Sequence, residues 1–150
     1  MKKLLSALLS MLIVISGCAP KGATPAHLLL GAGDDELSQS RGEGQVSKYT
    51  AEGKEKIQMR RYAEEMFGMD ATVEFMYSDE QKVSQIVATF GETDEEKLVN
   101  AVSYHLEQQP VAVQNESEEF DFSARWEKDG IIWTAGKIPA SALYVMIEKK

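Results

Sequence analysis

The first eighteen residues limit which part of this chain can fold. Two lysines precede a largely apolar run over residues 4–15, and small residues then lead to Cys18. A basic start, a short apolar core and small residues before a cleavage point are typical of a secretory signal peptide. The apolar run is too short to cross a hydrocarbon layer about 30 Å thick as a helix. We therefore expect residues 1–17 to be removed, so that residues 18–150 are left to fold.

The cleavage junction, Ile15-Ser16-Gly17-Cys18, resembles the lipobox of bacterial lipoprotein precursors, in which an aliphatic residue and two small residues precede the modified cysteine. The resemblance covers the leader only. It implies that the Cys18 thiol receives a diacylglycerol, that the signal is cut before Cys18, and that the new amino terminus is acylated. Each buried CH₂ contributes about 0.8 kcal/mol, so two or more acyl chains anchor a protein stably.

The same resemblance implies a location. In lipoproteins of bacteria with two membranes, a residue other than aspartate after the cysteine implies transport to the outer membrane, and here Ala19 follows Cys18. We expect a protein that faces the periplasm from the outer membrane, or one on the outer surface of the plasma membrane if the host has a single membrane. Because Cys18 is the only cysteine, its lipidation leaves no thiol for a disulfide, a nucleophile or a zinc site.

The charge of the chain argues against two kinds of partner. The formal net charge is −8, and removal of the signal lysines makes the mature chain more acidic still. No basic stripe with interleaved aromatic residues is present, so we expect no nucleic-acid partner. The acidic surface also disfavours adhesion to anionic headgroups, so contact with the membrane should depend on the lipid.

Composition divides the mature chain into two parts. Residues 18–48 are rich in Gly, Ala, Ser, Pro and charge, which predicts a lipidated amino terminus followed by a flexible tether with a coil dimension of roughly 30 Å. One apolar island, residues 28–30, could add a short strand to the folded body. The following Gly31-Ala32-Gly33 lacks the third glycine of a dinucleotide-binding loop. Residues 49–150 are predicted to form a single α+β domain.

Residues 50–110 contain two predicted helices with strands between them. The first helix spans residues 50–67, with an apolar stripe that includes Tyr62 and with Gly68 at its end. Residues 71–77 alternate as a half-buried strand. Residues 82–90 fit a strand or a helix, and we favour a strand paired with the preceding one. The second helix begins at a capping box formed by Thr93 and Glu96, and Pro110 stops it.

The last third predicts an antiparallel β-meander, with strands at residues 111–114 and 120–127. Asp129-Gly130 is the strongest hairpin signal in the chain, and a two-residue type I′ turn there places Trp126 opposite Trp133. A further turn around Pro139 and Ser141 leads to a final strand. The predicted fold class is therefore α+β: two helices packed on a mostly antiparallel sheet with a C-terminal β-meander. No convincing internal repeat is evident.

Candidate catalytic and metal-binding residues are few. Only His27 and His105 offer imidazoles, the first in the predicted tether and the second at the edge of the second helix's apolar stripe. No HExxH or His-x-His spacing indicates zinc, and no acidic run has the spacing of a calcium loop. We therefore predict no catalytic residues, no cofactor and no metal, and Cys18 is the one predicted modification site.

The leading functional hypothesis is a lipid-anchored cell-envelope accessory protein that presents a small non-catalytic domain to an envelope protein partner. One alternative is a periplasmic glycan- or peptide-binding module that uses an aromatic sheet face. A second alternative is a hydrolase, which requires His105 to meet acids such as Glu118 or Glu119 in a pocket. The aromatic residues proposed for the sheet face are Phe122, Trp126, Trp133 and Tyr144.

Overall fold

The computed structural model describes residues 23–91, 93–115, 122–137 and 142–150. The predicted signal peptide and Cys18 therefore lie outside the described residues. One sheet of eight strands dominates the fold, and all neighbouring strands in it are antiparallel. The elements in chain order are a 3₁₀ helix (Ala26–Leu29), α1 (Asp34–Arg41), β1 (Gln45–Ala51), β2 (Lys54–Met66), β3 (Met69–Tyr77), β4 (Val83–Phe90), α2 (Glu95–Leu106), β5 (Ala112–Asn115), β6 (Phe122–Lys128), β7 (Ile131–Lys137) and β8 (Leu143–Lys149).

The predicted α+β class was wrong, because the part of the chain that the structure describes is dominated by the sheet and has two short α-helices. The largest error concerns residues 50–67, which form the end of β1 and nearly all of β2 instead of a helix. Gly68 is the second residue of a two-residue hairpin turn after Phe67, and both residues have positive φ angles, 55° and 74°. Glu52 and Gly53 form the same kind of turn between β1 and β2, with φ angles of 52° and 73°. Positive φ at both central residues defines the type I′ geometry that matches the twist of paired strands.

The second predicted helix is confirmed, but it begins and ends at other residues than predicted: Asp94, not Thr93, is its N-cap, and it ends before Pro110. α2 starts at Glu95, and the side chain of Asp94 caps it by accepting a hydrogen bond from the backbone N–H of Lys97 at 2.7 Å. The helix ends at Leu106, before Pro110, because Glu107 adopts a left-handed conformation with a φ angle of 53°. Its buried face contributes Leu98, Val102 and Leu106 to the core.

The other strand predictions are confirmed. Residues 83–90 form a strand, β4, paired antiparallel with β3. Trp126 lies opposite Trp133, as the Asp129-Gly130 turn requires. The final strand, β8, buries alternate residues from Leu143 onward. The predicted turn at Pro139 and Ser141 lies outside the described residues.

The segment expected to be a tether belongs to the folded body from Ala26 onward. Leu29, Leu30 and Leu37 are buried in the main hydrophobic core. The apolar island also binds the start of β4, since the N–H of Gly31 donates to the carbonyl of Val83 at 2.7 Å. Burial of apolar side chains and pairing of backbone groups outweigh the loop-like composition of this segment.

The fold contains an internal repeat that the sequence analysis missed. Each half is an α-helix followed by a four-stranded meander: α1 with β1 to β4, then α2 with β5 to β8. The strand order β1-β2-β3-β4-β8-β7-β6-β5 reads inward from both edges, so the halves meet where β4 pairs with β8. Ala88 pairs with Val145 at that junction, and Ile86 pairs with Ile147 beside them.

The core lies on one face of this sheet. The 3₁₀ helix, α1 and α2 contribute their apolar side chains to the same buried cluster as Tyr62, Val73, Ala88, Val145 and Trp126. The side chains that alternate with these along the strands are half-buried or exposed. One face is therefore covered by helices, and the opposite face has no helix packed on it among the described residues.

Candidate functional site

A groove of about 270 Å³ lies on the helix-covered side of the sheet. We call it the interlayer groove, because it runs between the N-terminal segment and the end of α2. It is lined by residues 23–27, Arg41, residues 64–67, His105, Trp133 and Ile147. Both halves of the repeat therefore contribute to it. Its volume lies just below the range of roughly 300–1,000 Å³ that is usual for small-molecule sites.

The two histidines of the chain meet at this groove. His27, on the 3₁₀ helix, packs against Trp133 with ring centroids 5.9 Å apart. His105, in the last turn of α2, packs edge-on against Phe67 with ring centroids 5.1 Å apart. His27 is half-buried, whereas His105 is exposed. The sequence predicted neither this meeting nor the role of the 3₁₀ helix in it, because His27 was assigned to the tether.

The electrostatic environment of His27 disfavours its protonation. Burial lowers the pKa of His27 from its ordinary value of 6.5, and the positive charge of His105 lowers it further. The carboxylate of Asp129 acts in the opposite direction and raises the pKa of His27. Burial dominates, so His27 is mainly neutral at pH 7, and among the described residues no carboxylate forms an ion pair with it.

A buried ion pair forms another wall of the groove. Arg41 Nε donates to Glu64 Oε2 at 2.9 Å, and Arg41 Nη2 donates to Glu64 Oε1 at 3.3 Å. The two side chains are only 3% and 5% exposed. Arg41 also lies over the ring of Phe75, with its guanidinium carbon 4.9 Å from the ring centroid. α1 ends at Arg41 and β2 carries Glu64, so the pair joins these two elements.

The second half of the repeat has a different pair at the equivalent place. Ser103 on α2 accepts a hydrogen bond from the indole N–H of Trp126 on β6 at 3.2 Å. Each half of the repeat therefore has one side-chain pair that links its helix to the second strand after it. The two residues are 23 positions apart in both pairs, Arg41 with Glu64 and Ser103 with Trp126. A neutral pair therefore satisfies this junction in one half, and an ion pair occupies it in the other.

A separate polar cluster fixes the start of α1 to the sheet. Arg60 binds Asp34 through Nε at 2.6 Å and Nη2 at 2.8 Å, and the Tyr77 hydroxyl donates to the same carboxylate at 2.7 Å. The Arg60 hydrogen bonds lower the pKa of Asp34, whereas burial and the Asp34 carboxylate raise the pKa of Tyr77. All these groups satisfy one another. We therefore assign this cluster a structural role.

Most sequence-predicted site residues lie away from the groove or outside the described residues. Cys18, Glu118 and Glu119 fall outside them. Trp126 is 0% exposed and Trp133 is 3% exposed, so the tryptophan pair forms core instead of an exposed aromatic face. Tyr144 is half-buried on the face opposite to the helices. Within residues 23–91, 93–115, 122–137 and 142–150, no group of three or more His, Cys, Asp or Glu side chains is placed to hold a metal ion.

None of the helices in the described part of the chain is long and apolar enough to cross a membrane.

No family model matches the sequence. No curated protein matches it either. A solved structure with a similar fold is the crystal structure of a DUF4309 family protein, YjgB, from Bacillus subtilis subsp. subtilis str. 168. The two proteins share 12% sequence identity over 87% of this chain and 89% of that chain, with a TM-score of 0.52. At this identity the likeness shows the fold alone.

Proposed function

We propose that this chain is a lipid-anchored cell-envelope accessory protein that presents a small non-catalytic domain to an envelope protein partner. The observation that carries the proposal is the junction Ile15-Ser16-Gly17-Cys18, followed closely by the folded body. Among the described residues the first buried one is Ala26, and residues 19–25 lie between it and Cys18 in the sequence. Attachment to the membrane through Cys18 and folding of the domain then involve separate parts of the chain.

The short spacer determines how far the domain extends from the membrane. Seven extended residues, 19–25, reach at most about 25 Å. The domain is thereby confined to a thin layer next to the bilayer, on the outer membrane's periplasmic side or on the outer surface of a single membrane. Such confinement raises the effective concentration of the domain for a membrane-bound partner without any new contact.

Aromatic packing holds both histidines of the groove. A general base needs a hydrogen bond to the group whose proton it accepts. Among the described residues, His27 and His105 pack against aromatic rings, and neither imidazole hydrogen-bonds a hydroxyl or a carboxylate. The acids Glu118 and Glu119, which the hydrolase alternative pairs with His105, lie outside the described residues, so that alternative stays a prediction.

The interlayer groove favours the alternative of a binding module, although the sequence predicted an exposed aromatic sheet face as the binding site. The exposed aromatic face does not exist at Trp126 and Trp133. The interlayer groove offers a concave site in its place, and residues 23–27 that line it lead directly to the proposed anchor. A ligand or a partner segment in this groove would therefore be held close to the membrane.

Labelling with radioactive palmitate tests the anchor. Cells expressing the native chain should incorporate label into this protein and retain it in the membrane fraction. Cells expressing Cys18→Ser should show an unlabelled protein that leaves the membrane fraction. Crosslinking in intact cells would then be used to capture the partner. An unlabelled, soluble native protein would rule out the proposed anchor.

A further inference from the structure

We infer that the interlayer groove binds a small carboxylate that carries an apolar body, with the carboxylate held near Arg41 and the imidazoles of His27 and His105. This inference goes beyond the proposed function and does not depend on the lipid anchor. It assigns a ligand class to a groove that the accessory role alone leaves without a use.

The buried ion pair of Arg41 and Glu64 has a neutral counterpart in the other half of the repeat. The equivalent helix-to-strand junction in the second half of the repeat holds Ser103 and Trp126, a neutral hydrogen-bonded pair. A buried ion pair often contributes no more stability than well-packed apolar residues, because both charges lose their hydration. The presence of Arg41 and Glu64 in one half only, where they line the groove, therefore points to a role in binding.

Arg41 and the two histidines have N–H groups that can donate hydrogen bonds to a ligand. Arg41 has five N–H groups. Among the described residues, one bonds Ser40 Oγ and two bond Glu64, which leaves two without a partner. Both oxygens of Glu64 already accept from Arg41, so this carboxylate is neutralised. His27 and His105 add ring N–H donors, and neither imidazole hydrogen-bonds any described group.

The charged and ionisable side chains of the groove determine which charge a ligand should carry. Arg41 and Glu64 cancel each other, and the remaining polar side chains of the lining are Thr24, Glu65 and the two imidazoles, which become positive on protonation. Burial and His105 disfavour the charged form of His27 in the empty groove, while Asp129 at the β6–β7 turn favours it. Glu65 also lines the groove, but its side chain is exposed. A ligand carboxylate supplies the counter-ion that His27 lacks, so binding takes up protons.

The apolar part of the groove determines the size and polarity of the rest of the ligand. Trp133, Ile147, Met66 and Phe67 provide an apolar lining, and the volume of about 270 Å³ holds a group the size of one large side chain. The chemistry fits a free aryl-alkyl acid and equally the C-terminal residue of a polypeptide with an apolar side chain. The two sources share the same carboxylate, and the experiment below distinguishes them.

Isothermal titration of the full chain carrying Cys18→Ser, which keeps the protein off the membrane, tests the inference. The free-acid probe is 3-phenylpropionate, and its matched control is 3-phenylpropionamide. The peptide probe is acetyl-Ala-Phe with a free C-terminal carboxylate, and its control is the C-terminal amide. We expect at least one acid to bind about tenfold or more tightly than its amide, because a charge-assisted hydrogen bond is lost in the amide. Tighter binding of the peptide acid assigns a polypeptide terminus, and tighter binding of the small acid assigns a metabolite-sized ligand.

The pH dependence and two variants complete the test. Acid binding should strengthen several-fold from pH 7.5 to 5.5, and the double variant His27→Gln/His105→Gln should lose both this dependence and about tenfold in affinity. The double variant Arg41→Met/Glu64→Leu, which keeps the wall neutral, should bind neither acid measurably. Tyr104→Ala serves as the control, because Tyr104 is 88% exposed and does not line the groove. Equal binding of acid and amide, no binding of either acid, or unchanged binding in the histidine variant would overturn the inference.

Discussion

Ala88 on β4 lies opposite Val145 on β8, and both side chains are 0% exposed. This pair stands where the two halves of the repeat join, so the core of each half continues into the other across one strand pair. The halves therefore share a single hydrophobic core on the helix-covered face. We expect the described body to unfold as one cooperative unit.

Truncation at the junction should destabilise the whole domain. Val145→Ala removes two buried methyl groups where neighbouring side chains have little room to collapse, so we expect a loss of about 2 kcal/mol in the free energy of unfolding. Urea denaturation followed by tryptophan fluorescence measures this, because both tryptophans are buried. Val111→Ala is the matched control, since Val111 is 60% exposed, and it should change the value by less than about 0.5 kcal/mol. Two separate transitions in the native protein would contradict a shared core.

Gly68, in the β2–β3 hairpin turn, should tolerate a side chain less well than Gly91. Gly68 has a φ angle of 74°, a conformation in which an alanine is strained although no atom lies within 4 Å of an added Cβ. We expect Gly68→Ala to cost about 1 kcal/mol of unfolding free energy. Gly91 is equally open but does not have a positive φ angle, so Gly91→Ala should be neutral or slightly stabilising. Thermal melts of both variants decide the point, and equal effects would argue against the β2–β3 turn.

These turns explain which parts of the fold could be predicted from the sequence. Asp129-Gly130 predicted the β6–β7 hairpin and its register correctly, because an Asp before Gly is a strong local signal for a type I′ turn. Phe67-Gly68 adopts the same conformation, but Phe gives no such signal. Along β2 the inward-facing side chains are Arg60, Tyr62 and Glu64, and two charged residues in that set hide the alternation expected of a strand.

The candidate site could not be predicted, for a different physical reason. The fold brings His27 and His105 from two distant segments to the same groove, and no local pattern of charge or hydrophobicity in the sequence indicates this proximity. The ion pair is similarly hidden, because Arg41 and Glu64 each look like surface residues within their own segment. The spacing of 23 positions, which recurs between Ser103 and Trp126, becomes informative only after the repeat has been seen.

Breaking the ion pair on one side should destabilise the domain strongly. Glu64→Gln leaves the Arg41 charge buried without a counter-ion, and we expect a loss of about 3 kcal/mol. The double variant Arg41→Met/Glu64→Leu removes both charges and should regain most of that stability. Chemical denaturation of the three proteins measures the difference. A double variant as unstable as Glu64→Gln would show that the pair itself, and not the unpaired charge, determines the effect.

The stability of the domain should depend on pH through His27. Because its pKa is lowered in the folded state, the unfolded chain binds the proton more readily below the ordinary value of 6.5. The contribution of neutral His27 to the free energy of unfolding is therefore fully present above pH 6.5 and is lost as the pH falls below that value. We expect the free energy of unfolding to fall between pH 7 and 5, with a shallower slope in His27→Gln. The same slope in both proteins would contradict the lowered pKa.

Removing the neighbouring histidine should change the titration of His27. The charge of His105 lowers the pKa of His27, so His105→Gln should raise it towards 6.5. Two-dimensional NMR of the imidazole protons measures the pKa directly in both proteins. Tyr104→Phe is the control and should leave the titration of His27 unchanged. An identical His27 pKa with and without His105 would mean that the two rings are not electrostatic neighbours in solution.

The intact mass of the protein purified from membranes reports directly on the proposed lipid anchor at Cys18. We expect a polypeptide that begins at Cys18 and carries a diacylglycerol together with an acyl group, or the diacylglycerol alone. Mild base should release the ester-linked chains and shift the mass accordingly. A mass that matches the unmodified polypeptide, whether residues 1–17 are kept or removed, would contradict the anchor and the membrane-proximal role built on it.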